Sequence, residues 1–177
     1  MDLAGSAKND TGYALLEVNG EKKVTSKILH SDDEIISQLK LSKPEIVAVD
    51  APLIYSGEKR ICDELLREYG ALPVTLHGMQ TLAERGSCLA KKLESEGLPH
   101  IEVYSKASSK ILGVYAKKDF DMQKNMMSLD LSGDLNQRLL VRDELDAISC
   151  AVTAYLHLLG QTNEVGDDRG RVVVPKV

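Results

Sequence analysis

The sequence predicts an α/β fold built on a mixed sheet, antiparallel at one edge and parallel beyond it, with helices on its faces. Three observations predict it. Two eight-residue runs flank Asn19-Gly20 near the start. Short apolar runs then alternate with helical periodicities. A last long segment, Arg142 to Leu159, carries Leu145, Ile148, Val152 and Leu156 on one stripe. The 177 residues make one domain, 1–177, with no internal repeat and no low-complexity stretch.

Each element has a local reason. Thr11 to Val18 and Lys22 to Leu29 read as strands joined at Asn19-Gly20, a dipeptide that favours a hairpin turn. Ser31-Asp32-Asp33-Glu34 starts a helix, with acids in the first turn, running to about Leu41 and turning Ile35, Ile36 and Leu39 inward. Pro44 stops it. Glu45 to Val49 is a short apolar run, the pattern of a strand covered on both faces, and Pro52 ends its ladder. Lys59 to Tyr69 and His77 to Glu96 read as two helices, parted by Gly70 and Pro73. Ile101 to Tyr104 is a further strand; Ala107 to Met127 has no clear period. Gly166-Asp167-Asp168 and Gly170 are turns before a last strand, Val172 to Val174. Few folds begin with this order of elements, and the ribonuclease H-like fold is prominent among them.

Composition narrows the function classes. Lys plus Arg total 22 and Asp plus Glu 27, a net charge of −5, which excludes a histone-like basic coat. Charged residues are 28% and apolar ones 43%, the balance of a folded soluble chain. Cys62, Cys88 and Cys150 are far apart and form no CxxC, so neither a zinc ribbon nor a disulfide framework is supported, and a reducing cytoplasm fits. No signal pattern opens the chain, and the longest apolar stretch, Ile148 to Leu159, is too short to span a bilayer. No membrane partner is expected.

Four acids carry the chemistry. Asp2 precedes the first turn, in Asp-Leu-Ala-Gly-Ser. Asp50 ends an apolar strand. Asp143 and Asp146 are three apart at the start of the last helix and share a face. Open α/β sheets place ligands outside the carboxyl ends of their strands, which would bring Asp2 and Asp50 together if their strands are neighbours. Like charges so placed raise one another's pKa, and a divalent cation resolves the conflict. Two such cations about 3.5–4 Å apart serve in-line phosphodiester displacement without a nucleophilic Ser or Cys. Blander readings stand beside each. Asp2 is also a turn former, Asp50 a strand-end cap, and Asp143 and Asp146 helix-start acids favoured by the dipole. Glu102 is a further candidate ligand, or a solvated strand-end acid.

These residues resemble a known family. Asp2 to Gly12, Val49 to Leu53 (VDAPL), Arg60 to Asp63, Glu84 to Gly86, Ile101 to Tyr104, Asp143 to Thr153 and Gly170 to Pro175 are similar to the predicted RNase H-like nucleases of domain-of-unknown-function family 429. The resemblance covers nearly the whole chain, with the Asp-Ala-Pro-Leu turn and the Asp-Ala helix its most specific pieces. The pairing of Asp143 with Asp146 is also similar to the last helix of Holliday-junction resolvases. The resemblance implies a ribonuclease H-like, mixed five-stranded sheet with an inserted helical pair at about 59–96. It implies a nuclease site using Mg²⁺ or Mn²⁺ at Asp2, Asp50 and Asp146, with Asp143 assisting, and a nucleic-acid substrate.

Arg60, Asp63 and Arg85 fall at family-like positions and are candidate phosphate contacts; the competing reading is solvated ion pairs on a surface helix. Lys8 and Lys106 are further candidates. Five lysines between Lys106 and Lys124 form either a phosphate-tracking patch or a solvated face. His30, His77, His100 and His157 show no metal spacing. Two other functions compete: an inactive binding or scaffold module of the same fold, and a phosphate-binding relative of sugar kinases and actin-like ATPases. A homodimer is compatible with any of them.

Overall fold

The computed structural model describes residues 1–176. Strands β1 (Thr11–Val18) and β2 (Lys22–Leu29) pair antiparallel along their full length, Thr11 opposite Leu29 and Val18 opposite Lys22. The hairpin closes through three residues, Asn19 to Glu21, and only Gly20 is left-handed, with φ 84°. Helix α1 (Asp32–Ser42) begins at Ser31 with a reciprocal cap: its hydroxyl accepts the Glu34 N–H at 3.2 Å, and the Glu34 carboxylate accepts the Ser31 N–H at 3.2 Å. It ends at Lys43, held left-handed at φ 47° just before Pro44.

Strand β3 (Val47–Asp50) follows, then α2 (Ile61–Leu65), a 3₁₀ turn at Arg67–Tyr69, and the long α3 (His77–Ser95). Strand β4 (His100–Val103) lies parallel to β3. The stretch without a clear period is two helices, α4 (Ser105–Ile111) and α5 (Asp119–Met126). Short β5 (Leu131–Gly133) and α6 (Asp134–Gln137) precede α7 (Arg142–Leu158), and β6 (Thr162–Asp167) and β7 (Gly170–Pro175) close the chain as a hairpin.

The expected five-stranded sheet is replaced by two mixed sheets. Among the described residues, one has three strands in the order β1-β2-β5, the other four in the order β3-β4-β7-β6. The sequence reading missed β5 and β6. Strand β5 is three residues long, and β6 (TNEVGD) lies at a sheet edge with an irregular, mostly polar pattern. The predicted helix over Lys59 to Tyr69 shortens to α2 and the 3₁₀ turn.

A single residue joins the sheets. Asp2 bridges Gly12 of β1 antiparallel and Asp50 of β3 parallel. Its N–H donates to the Gly12 carbonyl at 2.9 Å, and its carbonyl accepts the Gly12 N–H at 3.0 Å. The Asp50 N–H donates to the Met1 carbonyl at 2.8 Å, and the Met1 amine to the Ala48 carbonyl at 2.7 Å.

Each face of this frame carries its own core. Met1, Leu3, Tyr13, Val47 and Val49 pack with Ile35 and Leu39 of α1 and Leu89 and Leu93 of α3. On the other face α7 presents Leu145, Ile148 and Val152 to Val24, and Cys150 and Ala154 to Ala48 and Val173. Helix α7 reaches the frame through Gly12. A β-carbon there would stand 1.8 Å from the Asp143 carbonyl oxygen. Gly12→Ala therefore forces the start of α7 away and costs about 1–3 kcal/mol in denaturant unfolding. Gly78→Ala, in α3 where a β-carbon meets nothing within 4 Å, is neutral or gains up to about 1 kcal/mol.

Candidate active site at the sheet junction

The junction gathers three of the four acids. Asp2 and Asp50 are paired across neighbouring lanes, so their side chains leave the same sheet face. That face is the one α7 covers, because Ala48, two residues before Asp50, packs against Cys150 and Ala154. The close approach at Gly12 sets the first turns of α7 beside them, and Asp146 follows one turn later than Asp143.

The electrostatics report how crowded this corner is. Burial, then Asp50, Asp146 and Asp143, push the Asp2 carboxyl from 3.8 up to about 8, against the pull of the Met1 amine. Burial and Asp50 push Asp146 up to about 7, opposed by Arg142. Burial raises Asp50 as well, although its Oδ2 accepts the Ser105 N–H at 3.1 Å. Asp143 stands at the rim, raised by burial and by the charges of Asp10, Asp119 and Glu144. The Tyr104 phenol is pushed up to about 12 by burial and by Asp50 and Asp146. Asp10, Ser105 and Tyr104 are parts of this corner that sequence reasoning missed. Asp10 had a signal, lying in the first turn; the others are brought in only by the fold.

Two depressions open here. A wide polar mouth of about 590 Å³ is lined by Asp2, Gly5, Lys8, Asn9, Asp10 and Asp143. A narrower cavity of about 220 Å³ runs past Asp2 and Asp50 to Tyr104, Glu102 and Arg60. The donor set is all carboxylate oxygen, the chemistry that Mg²⁺ and Mn²⁺ take. Among the described residues, however, no three acidic, His or Cys side chains already close around one point as a bound cation requires.

The other sequence candidates lie elsewhere or are occupied. Glu102 pairs across the sheet with Val49, one residue out of step with Asp50, and so faces the opposite side. There it accepts Arg60 Nη1 at 2.8 and 3.1 Å and the Leu53 N–H at 2.8 Å. Burial still lifts it to about 7 despite Arg60. Arg60 is buried and also donates Nη2 to Asp63 at 2.6 Å; Asp63 in turn accepts the Val74 N–H at 3.2 Å. This is a buried ion cluster, in place of the solvated surface ion pairs that were the competing reading for these residues. Arg85 donates to the carbonyls of Ala4 (2.7 Å) and His30 (2.6 Å) and to Asp32 Oδ1 (3.0 Å), tying the loop after Asp2 to the start of α1. Lys8 is exposed at the polar mouth, and Lys106 lies over Gly70.

Glu144, between Asp143 and Asp146 in sequence, turns away. Burial would raise it, but Arg138 at 3.0 Å, the Val141 N–H at 3.2 Å and the Ser26 hydroxyl at 3.0 Å hold it below the usual range. The three cysteines are free; Cys62 and Cys150 are buried, Cys88 exposed. His157 packs at the end of α7 against the Thr162 hydroxyl at 2.9 Å. Among the described residues no helix is long and apolar enough to cross a membrane.

Two measurements follow from these charges. Asp2 and Asp146 hold protons in the folded chain that the unfolded chain releases, so stability falls as pH rises from about 4 to about 8. Asp2→Asn is expected to gain at least about 1 kcal/mol at pH 8.5 and nothing measurable below pH 4, read by urea unfolding. Arg60→Met leaves Asp63 and Glu102 buried without their cation and costs about 3–5 kcal/mol at pH 8, a deficit that shrinks as pH falls and Glu102 takes a proton.

Comparison of the chain with family models, with curated proteins and with solved structures returns no match.

Proposed function

We propose that the chain is a divalent-metal-dependent nuclease that hydrolyses phosphodiester bonds at the Asp2–Asp50–Asp146 corner, with Mg²⁺ or Mn²⁺ as cofactor. One observation carries the reading. Asp2 and Asp50 share one sheet face, Asp146 of α7 stands close enough to feel Asp50, none of the three has a basic partner in hydrogen-bond contact among the described residues, and burial raises all three, with Asp50 raising Asp2 and Asp146 further. A merely structural cluster has no reason to bear that cost; a cation site does, because the cation removes it.

Asp2, Asp50 and Asp146 would hold the cation, with Asp143 assisting from the rim. When bound, such a cation activates water and stabilises the leaving oxygen of a phosphodiester. The chain's own contributions are positional. Ser105 donates its N–H to Asp50 Oδ2 and fixes that carboxylate's direction. Arg85 anchors the loop that forms the polar mouth, so Lys8 can face an incoming phosphate from a fixed turn. Arg60, Arg85 and Lys106 are weaker phosphate candidates, since both arginines spend their donors inside the protein. A second reading is an inactive binding or scaffold module of the same fold, favoured because, among the described residues, no three acidic, His or Cys side chains close around one point.

The test is a panel of single-stranded, duplex, hybrid and branched DNA and RNA incubated with Mn²⁺. Wild type is expected to cut at least one of them, and Asp50→Asn and Asp146→Asn to lose at least 100-fold in rate, on the order of one essential charged group. Equal cleavage by the variants would mean a different site. Binding without cleavage would favour the module, and stabilisation by ATP without cleavage the kinase-like alternative.

A further inference from the structure

Beside the acid corner lies a space of a different character. The cavity of about 220 Å³ shares Asp2 with the polar mouth, and Asp50 also borders it. From there its walls turn apolar. Pro52 comes from the turn after β3, Met79 and Leu82 from α3, and Leu66 and Leu72 from the segment between α2 and α3. Helix α3 closes on the turn through Gly86, where a β-carbon would stand 2.3 Å from the Pro52 carbonyl oxygen, so this wall is fixed by main-chain contact. Leu72, 54% exposed, forms an apolar lip.

Tyr104 stands at the rim. It follows β4 and immediately precedes Ser105, whose N–H holds Asp50. A β-carbon on Gly70, itself at φ 100°, would stand 3.5 Å from the Tyr104 hydroxyl and 3.0 Å from Lys106 Nζ, so phenol and ammonium reach the same turn. The floor is polar but offers no spare cation. Glu102 and Val172 are paired across β4 and β7 and face the cavity together. Arg60 turns all three of its guanidinium nitrogens to Glu102 and Asp63. A carboxylate offers about four acceptor positions. Arg60 Nη1 takes two of those on Glu102 and the Leu53 N–H a third, which leaves one open.

These features select a ligand. Asp2, Asp50, Asp63 and Glu102 all border the cavity and its one arginine is spent, so a phosphate is repelled there and belongs at the polar mouth with Lys8. Apolar walls, one aromatic ring and one open acceptor suit a flat ring that carries N–H donors on its edge. Size narrows it further. A cavity of roughly 150 Å³ takes benzene, and pockets for drug-sized ligands begin at roughly 300 Å³. About 220 Å³ therefore admits a fused double ring and not a whole nucleotide.

We propose that this cavity receives one unstacked purine base of a nucleic-acid strand whose adjoining phosphate lies at the Asp2–Asp50 corner. The inference rests on the nuclease reading for the phosphate and deepens it by naming what sits beside the cut. The base lies against Tyr104 on one face and Leu72 and Met79 on the other, and its edge donates to Glu102. Lys106, at the rim, is placed for the next phosphate along the strand. Drawing a base out of its stack costs least in a single strand, so single-stranded nucleic acid is the preferred substrate.

The experiment has a binding arm without metal and a cleavage arm with Mn²⁺. Guanosine titrated into the protein is expected to give saturating methyl NMR shifts at Leu66, Leu72 and Met79, and ribose to give none. Leu72→Trp, a larger side chain at the exposed lip, is expected to weaken guanosine binding at least about tenfold, on the scale of one lost stacking contact. In the cleavage arm, a thymine strand with a single guanine is expected to be cut beside it. Replacing that guanine by an abasic residue is expected to lower the rate there at least about tenfold. Equal cleavage beside guanine and the abasic residue, with no cavity shifts, overturns the proposal and leaves the nuclease reading standing. Guanosine shifts at the cavity in a protein that cuts no strand sink the nuclease reading and keep the base site. Shifts that ribose reproduces, or that fall outside the cavity, overturn the proposal whatever the protein cuts.

Discussion

Four backbone hydrogen bonds made by Met1 and Asp2 hold the molecule in one frame. They tie β1 to β3 where no full strand lies between them, and every feature of the candidate site is measured from that tie. Asp50 reaches Asp2 because their lanes are adjacent. Asp146 reaches both because α7 descends onto Gly12, where the absence of a side chain admits the Asp143 carbonyl. A helix start, a strand end and a chain start thus meet through main-chain geometry before any side chain is considered.

The buried and half-buried acids divide into two kinds, and the division gives the corner its meaning. Glu102, Asp63 and Glu144 each face an arginine and accept hydrogen bonds from it. They follow the ordinary rule that an interior charge is paired. Asp2, Asp50 and Asp146 face one another instead. Within one small protein the same residue types are managed in two ways, a few residues apart along α7. The contrast between Glu144, held below its usual range, and Asp146, lifted to about 7, cannot come from composition or helix position alone. It comes from the burial of Asp146, with Asp50 beside it, and from Arg138 pairing Glu144 on another side of the helix.

Much of the architecture was legible because it is written locally. The hairpin shows as two runs around Asn19-Gly20, the start of α1 as Ser31 followed by Glu34, and α7 as a long apolar stripe. Strands β5 and β6 were not legible, since a three-residue strand and a polar edge strand carry no hydrophobic period of their own. The split into two sheets was equally hidden: a one-residue bridge at Asp2 between β1 and β3 has no sequence signature. Within the site, Asp2, Asp50, Asp143 and Asp146 stood out through their positions at element ends. The internal partners of Arg60 and Arg85 were not legible, because a guanidinium reads the same in sequence whether it meets water or the protein interior; only the third dimension brings Glu102 to the one and the Ala4 carbonyl to the other.

The cysteines carry a practical corollary. Burial pushes the Cys62 thiol up to about 12 and raises Cys150 further, while Cys88 lies exposed on α3, two residues beyond the glycine that packs against the Pro52 turn. Thiol reagents act on the thiolate, so a maleimide dye should select Cys88 in the native chain without removal of the other two. The protein thereby comes with a built-in attachment point for a fluorescent reporter close to the loop that follows Asp50.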